Sequence, residues 1–144
     1  MKRLIYVLAV LVFAGAAYMW RGPLRDPSHL PGNTCSGRDF CISVYMAPWC
    51  PHCKSAVPQV QKLLSASQSA QKPGVKVVIG MGEPEQNEAM GKSIARDVAL
   101  DNDTSLAEKL KIQGVPSYLV LDKEGTVILD GPEAHEWINE RFGG

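Results

Sequence analysis

The sequence predicts an α/β domain in which a central mixed β-sheet is flanked by helices. Apolar runs rich in strand-forming residues alternate with segments whose apolar residues recur at helical spacing. Near the C-terminus, two short strand-like runs are joined by Lys123-Glu124-Gly125, which is typical of a tight hairpin turn. Strands that alternate with helices and are followed by a hairpin and a last helix favour a sheet with both parallel and antiparallel strands.

The individual elements follow from local patterns. The first predicted strand covers residues 40–47 and ends before Pro48. A helix is expected over residues 51–71, because apolar residues recur there at helical spacing before Pro73-Gly74 interrupts the pattern. The other predicted strands cover residues 75–80, 98–101, 117–122 and 126–130, and the other predicted helices cover 83–96, 104–112 (capped by Asp103 or Thr104) and a final segment from Pro132.

Length and charge limit the classes of function. The chain has 144 residues, which is enough for one domain with a substantial core and not for two. Its 15 Lys and Arg residues balance 15 Asp and Glu residues, and no basic stripe is present. This balance argues against nucleic acid as a partner.

The N-terminus has the pattern of an export signal. Lys2 and Arg3 precede an uninterrupted apolar run at residues 4–20, which Arg21 ends. The run has about the minimum length that spans a bilayer, and its positive head is expected to stay in the cytoplasm. An uncleaved signal anchor is the favoured interpretation. A cleaved signal peptide, cut near the small residues at 14–17, is the alternative.

The predicted organisation therefore has three parts. Residues 1–20 form the signal anchor or signal peptide, residues 21–34 form a Pro- and Gly-containing tether, and residues 35–144 form the domain. An exported domain meets an oxidising compartment, in which disulfides form and persist. The expected location is the bacterial inner membrane, single-pass with the domain in the periplasm. The alternative is a soluble periplasmic protein.

The motif Cys50-Pro51-His52-Cys53 lies where the first strand meets the first helix. Two intervening residues allow both sulfurs to meet at the first helical turn. Cys50 is expected at the helix N-terminus, where unpaired N–H groups and the helix dipole stabilise a thiolate, the reactive nucleophile. Pro51 suits the first helical position. His52 can donate to that thiolate, and Cys53 is expected to be more buried and to act as the resolving thiol.

Other interpretations of the cysteines are weaker. A zinc site needs four ligands, usually from a second matched pair, and Cys35 and Cys41 have a poor spacing of five intervening residues. Haem attachment needs a His directly after the second Cys, where this chain has Lys54. Cys35 and Cys41 are expected to form a structural disulfide. Accessory redox thiols or a metal site are the alternatives for this pair.

Two separated motifs resemble the thioredoxin superfamily. The run Ala-Pro-Trp-Cys-Pro-His-Cys-Lys at residues 47–54 is similar to protein disulfide isomerases at its flanks and to the periplasmic oxidase DsbA at its Cys-Pro-His-Cys centre. Pro58 matches the family's helix-kinking proline. The run Gly-Val-Pro-Ser at residues 114–117 resembles the cis-proline loop that receives a substrate peptide beside the redox pair. The resemblance covers roughly residues 34–144 and implies a thioredoxin-like fold.

The chain also departs from that family. Thioredoxins and DsbA carry a buried Asp or Glu six residues before the first cysteine, where this chain has Val44. The usual proton acceptor for Cys53 is therefore missing, and water or another group must serve. No room exists for the large helical insert of DsbA. The spacing of the last elements and the tether resemble the membrane-tethered TlpA/ResA group, many of which are reductants.

The resemblance implies an enzyme, a thiol–disulfide oxidoreductase, that exchanges disulfides with protein thiols and needs no cofactor or metal. Cys50, Cys53 and His52 are the expected catalytic residues. A monomer acting as an oxidant is expected, reset by a membrane redox partner. One alternative is a tethered reductant for a dedicated partner, as in cytochrome c maturation, and another is a non-enzymatic thioredoxin-fold metal- or substrate-binding module. The expected substrate-binding residues are Trp49, Pro51, Val115 and Pro116; Trp49 has a partly buried packing role as its alternative.

Overall fold

The computed structural model describes residues 37–69 and 71–142. Within this part of the chain, strands and helices alternate until a hairpin and a last helix close the domain, as the sequence predicts. The strands are β1 (Phe40–Met46), β2 (Gly74–Gly80), β3 (Ala99–Asp101), β4 (Ser117–Asp122) and β5 (Val127–Asp130), and the helices are α1 (Pro51–Ala66), α2 (Pro84–Ile94), α3 (Ser105–Lys109) and α4 (Gly131–Phe142).

The described strands form one mixed sheet in the order β3-β2-β1-β4-β5. β1 pairs in parallel with β2, and β2 pairs in parallel with β3. β4 runs antiparallel to β1, and β5 runs antiparallel to β4. The predicted mixed sheet with flanking helices is confirmed. The pairing of β1 with β4 sets Val44 directly opposite Tyr118, which matters for the site described below.

The sheet is covered on both faces by apolar side chains. The larger cluster contains Val44 and Val77 from the sheet and residues of α1, α2 and α4. The smaller cluster, on the opposite face, packs residues of α3 against Tyr45 and Val78. Successive strand residues point to opposite faces, so the alternation along β1 decides which side chains reach α1. Cys50 and Cys53 belong to the larger cluster.

Two helices are shorter than the sequence pattern suggests. α1 ends at Ala66 instead of residue 71, because the Ser67 hydroxyl bonds to the Leu64 carbonyl and the chain turns there. α3 covers only Ser105–Lys109 instead of residues 104–112. Its first amides are held by the side chain of a residue that precedes the helix. The backbone N–H groups of Leu106 and Ala107 donate to the buried Asp101 carboxylate at 3.0 and 2.9 Å.

The N-terminal predictions fall outside the described residues. They concern the anchor or signal peptide at 1–20, the tether at 21–34, and Cys35. Among residues 37–69 and 71–142, no helix has the length and apolar character needed to cross a bilayer.

Candidate active site

The junction between β1 and α1 positions the first cysteine. After β1, Ala47 is buried and the chain turns through Pro48 and Trp49, and the N–H of Cys50 donates to the Ala47 carbonyl at 3.2 Å. Cys50 is the N-cap of α1, with an extended backbone at φ −84° and ψ 117°. Pro51 occupies the start of the helix, where a missing N–H costs nothing.

The two sulfurs lie in one hydrogen-bonded turn and both are free thiols. Cys50 is 3 % exposed and Cys53 is fully buried. The backbone N–H of Cys53 donates to the Cys50 Sγ at 3.3 Å. The N–H of Ala47 donates to the Cys53 Sγ at 3.5 Å. Each sulfur therefore receives a backbone donor, and donors of this kind stabilise a thiolate.

Cys53 is the less acidic kind of thiol that a resolving role requires. Burial and, after it, the hydrogen bond with Cys50 raise the pKa of Cys53 to about 12, against the opposing effect of the Ala47 amide. At neutral pH the Cys53 thiol is therefore protonated, and its thiolate exists only transiently during exchange.

The cis-proline loop lies against the first cysteine. The Val115–Pro116 peptide bond is cis, as the motif predicts. The Cys50 thiol donates to the Val115 carbonyl at 3.4 Å. Residues 65 positions apart in the chain thus meet at one sulfur. This contact brings Val115 and Pro116, both expected to bind substrate, to the redox pair.

The remaining predicted site residues lie on the surface around the sulfurs. Pro51 and His52 are exposed, and the His52 imidazole has no hydrogen-bond partner in the described part of the chain. Its contact with the Cys50 thiolate stays a prediction. Trp49 is 58 % exposed, and its indole N–H donates to the Met81 carbonyl at 2.7 Å. This bond fixes the orientation of a large apolar ring beside the motif.

Two surface grooves flank this centre. One of about 580 Å³ follows the cis-proline loop and includes Val115, Pro116 and Lys111 among its lining residues. The other, of about 620 Å³, lies between α1 and α2 beside Trp49 and includes Val57 in its lining. The first groove contains Val115, whose carbonyl contacts the Cys50 thiol, and the second contains Trp49, the residue before Cys50.

Tyr118 is a neighbour of the pair that the sequence reasoning missed. It is 7 % exposed and belongs to the same buried cluster as Cys50 and Cys53. Burial raises the pKa of Tyr118, and the negative charge of a Cys53 thiolate raises it further. Its position opposite Val44 depends on strand register. The only sequence signal was its place in an alternating strand directly after the cis-proline loop.

The second pair of cysteines is described only in part. Cys41 is fully buried and disulfide-bonded. Its expected partner, Cys35, is not among the described residues, so the pairing of Cys35 with Cys41 stays a prediction. Among residues 37–69 and 71–142, no three His, Cys, Asp or Glu side chains cluster as metal ligands do.

A dithiol at a strand-to-helix junction, placed beside a cis-proline loop on a mixed sheet, defines a thioredoxin-like thiol–disulfide oxidoreductase site. The chain belongs to the Redoxin family, whose model matches residues 26–140.

Known proteins with similar sequences or folds include a protein disulfide isomerase-like protein and two thioredoxin-like structures. Over 108 residues the chain is 27 % identical to protein disulfide isomerase-like 1-1 of Arabidopsis thaliana, covering 74 % of this chain and 18 % of that protein. The chain thus spans about a fifth of that relative. A putative thioredoxin from Neisseria meningitidis superposes with a TM-score of 0.61 at 18 % identity, covering 76 % of this chain and 75 % of the other. The exposed lipoprotein thioredoxin of Streptococcus pneumoniae superposes with a TM-score of 0.58 at 17 % identity, covering 71 % and 84 %.

Proposed function

We propose that this protein exchanges disulfides with protein thiols outside the cytoplasm, through Cys50 as nucleophile and Cys53 as resolving thiol, and that the exchange runs as oxidation of the substrate. The observation that carries the proposal is the position of the Cys50 sulfur. It lies between the N–H of Cys53 and the carbonyl of Val115, so one atom contacts both the helix N-terminus and the peptide-binding loop.

The proposed reaction proceeds in two exchanges. A substrate thiolate attacks Cys50 of the Cys50–Cys53 disulfide, forming a mixed disulfide and releasing Cys53 as a thiolate, which then takes up a proton. A second substrate thiolate attacks the substrate sulfur of that mixed disulfide and releases the Cys50 thiolate. The substrate dithiol loses two electrons and the protein pair gains two. A membrane redox partner would then accept those electrons and restore the disulfide.

The direction of exchange is argued from the hydrogen bonds of the reduced pair. The bond from the Cys50 thiol to the Val115 carbonyl needs the S–H hydrogen, which the disulfide lacks. The amide bonds to the two sulfurs are stronger when either sulfur is a thiolate. Interactions that favour the reduced form make the disulfide a stronger oxidant. His52, if it donates to Cys50, acts in the same direction.

Trapping of mixed disulfides tests the assignment of the two cysteines. A Cys53→Ala variant should accumulate covalent adducts with protein substrates, because the resolving thiol is missing. The matched Cys50→Ala variant should accumulate none, because Cys53 is fully buried. Non-reducing gels with and without reductant measure the adducts. Equal trapping by both variants would contradict the assignment.

The proposed location rests on the sequence of the N-terminus, together with one relative. The structurally similar pneumococcal protein is described as an exposed lipoprotein thioredoxin. We propose an inner-membrane anchor at residues 4–20 with the domain in the periplasm. The full-length chain should fractionate with membranes and resist extraction by high salt. A soluble form that begins near residue 17 would show instead that the segment is a cleaved signal.

A further inference from the structure

Within the described residues the Cys53 sulfur receives one hydrogen bond, from the Ala47 N–H at 3.5 Å, so a thiolate formed there is only weakly stabilised. Cys53 is fully buried, and the sheet residue that would carry a carboxylate in thioredoxins is Val44, which is also fully buried. Exchange in either direction passes through a Cys53 thiolate, since this sulfur is either released from the disulfide or attacks the mixed disulfide. A buried anion with only one long hydrogen bond is costly to form, and this cost would slow both steps.

Tyr118 is placed to meet this need. In the sheet register Tyr118 lies directly opposite Val44, and its ring packs in the same buried cluster as Cys53. The neutral tyrosine carries a hydroxyl that can donate one hydrogen bond. Within residues 37–69 and 71–142 that hydroxyl has no hydrogen-bond partner, so it is available when a thiolate forms.

A residue of the last helix, α4, packs against the Tyr118 ring. The ring centroids of Tyr118 and His135 lie 5.0 Å apart at an interplanar angle of 57°. His135 shares a hydrogen bond of 3.3 Å with the Asn139 amide, and the Asn139 carbonyl accepts from Gln59 of α1 at 3.2 Å. Tyr118 therefore packs against His135, and hydrogen bonds connect His135 through Asn139 to α1, the helix that carries the two cysteines.

We propose that the Tyr118 hydroxyl donates to the transient Cys53 thiolate, and so supplies from β4 the stabilisation of the resolving sulfur that β1 lacks at Val44. This inference rests on the proposed function. The bond forms when Cys53 becomes an anion, either on cleavage of the Cys50–Cys53 disulfide or on loss of its thiol proton to water. No electrons pass through the tyrosine.

The electrostatic surroundings of the Tyr118 hydroxyl suit a hydrogen-bond donor and not a general base. Burial and the Cys53 charge both raise the pKa of Tyr118, so its hydroxyl keeps its proton across the range in which the enzyme would work. A neutral phenol stabilises an anion by donation, whereas a phenolate would repel it. The titratable groups near Tyr118 are Cys50 and Cys53 of the same buried cluster and the His135 imidazole of α4, while Val44, opposite it in the sheet, carries no charge.

The test separates the two steps of one turnover. The reduced protein is mixed with a small disulfide, and rapid-mixing kinetics measure first the attack by Cys50 and then the release of the second thiol by Cys53. Tyr118→Phe keeps the ring and removes the donor. We expect the second step to slow by about ten- to a hundredfold, the loss typical of one hydrogen bond to a charged group. The first step should keep its rate.

The pH profile checks that the second step depends on a thiolate, and a matched control variant distinguishes donation from a structural role. Because burial raises the pKa of Cys53, the wild-type rate of the second step should rise steadily with pH between pH 6 and 9. In Tyr118→Phe the same slope should appear at lower rates at every pH, because the thiolate has become harder to form. Tyr45→Phe is the matched control. This second buried tyrosine lies on the opposite face of the sheet and donates to Asp101 at 2.7 Å.

Three outcomes would overturn the inference. In the first, Tyr118→Phe resolves the mixed disulfide at the wild-type rate. In the second, Tyr118→Phe slows both steps together and Tyr45→Phe does the same, which would indicate a general structural loss. In the third, the wild-type protein forms no mixed disulfide in the first step, which would contradict the proposed function itself and the inference with it.

Discussion

Replacing Asp101 by Ala should be among the most damaging single changes outside the two catalytic cysteines. Asp101 is 4 % exposed and accepts three hydrogen bonds. Two come from the backbone amides of Leu106 and Ala107 in α3, and the third comes from the Tyr45 hydroxyl. One carboxylate thus joins the end of β3 to the helix that precedes the cis-proline loop and to the C-terminal end of β1.

The magnitude follows from the donors that the substitution leaves without a partner. Each buried donor that loses its acceptor costs about 1–3 kcal/mol, and losses within one network are not additive. Three donors therefore predict a loss of about 3–6 kcal/mol in the free energy of unfolding of Asp101→Ala. Tyr45→Phe removes one of the three bonds and should cost about 1–2 kcal/mol. The free energy of unfolding of a typical domain is only about 5–15 kcal/mol, so Asp101→Ala should leave this domain only marginally stable.

Urea unfolding of the domain, followed by tryptophan fluorescence, measures these losses. Asp103→Ala is the matched control, because this carboxylate lies two residues away and is exposed to solvent, although it too accepts a backbone amide of α3, that of Ser105 at 3.1 Å. It should cost less than about 1 kcal/mol. If Asp101→Ala were no more damaging than Asp103→Ala, the reasoning from buried hydrogen bonds would be refuted.

Two further predictions concern the turn before the motif and the second cysteine pair. Gly82→Ala should destabilise the protein by about 1–3 kcal/mol and slow mixed-disulfide formation, because a Cβ there would overlap the Pro48 side chain and displace the turn that leads to the motif. Gly114→Ala, where a Cβ meets nothing within 4 Å, should be nearly neutral, and equal effects of the two would contradict the argument. Mass spectrometry of a non-reduced digest should find Cys35 joined to Cys41, and a stable bridge from either one to a catalytic cysteine would exclude that pairing.

The sequence predicted the parts of the site that depend on neighbouring residues. Two intervening residues between Cys50 and Cys53, after an apolar strand and before a helix, were enough to place both sulfurs in one turn. The motif around Pro116 was enough to expect a loop beside them. These features are visible because their geometry is determined within a few positions of the chain.

The parts that depend on long-range register were not predictable. Tyr118 lies opposite Val44 only because β4 runs antiparallel to β1 in one particular register, and no local pattern specifies that register. The bond that Asp101 accepts from Tyr45, 56 positions earlier in the chain, depends on the packing of one sheet face. Sequence patterns describe each element, whereas tertiary packing decides which polar groups meet.

The reduction potential of the Cys50–Cys53 couple tests the central claim most directly. Equilibration of the domain with glutathione buffers should give a single two-electron transition that Cys50→Ala abolishes. A single hydrogen bond that favours the reduced pair by about 1.5–3 kcal/mol raises the reduction potential by about 30–60 mV. We therefore expect a midpoint at least about 30 mV above the value of about −270 mV for thioredoxin. A midpoint at or below that of thioredoxin would contradict the oxidising direction, and the absence of any reversible transition would contradict disulfide exchange by this pair.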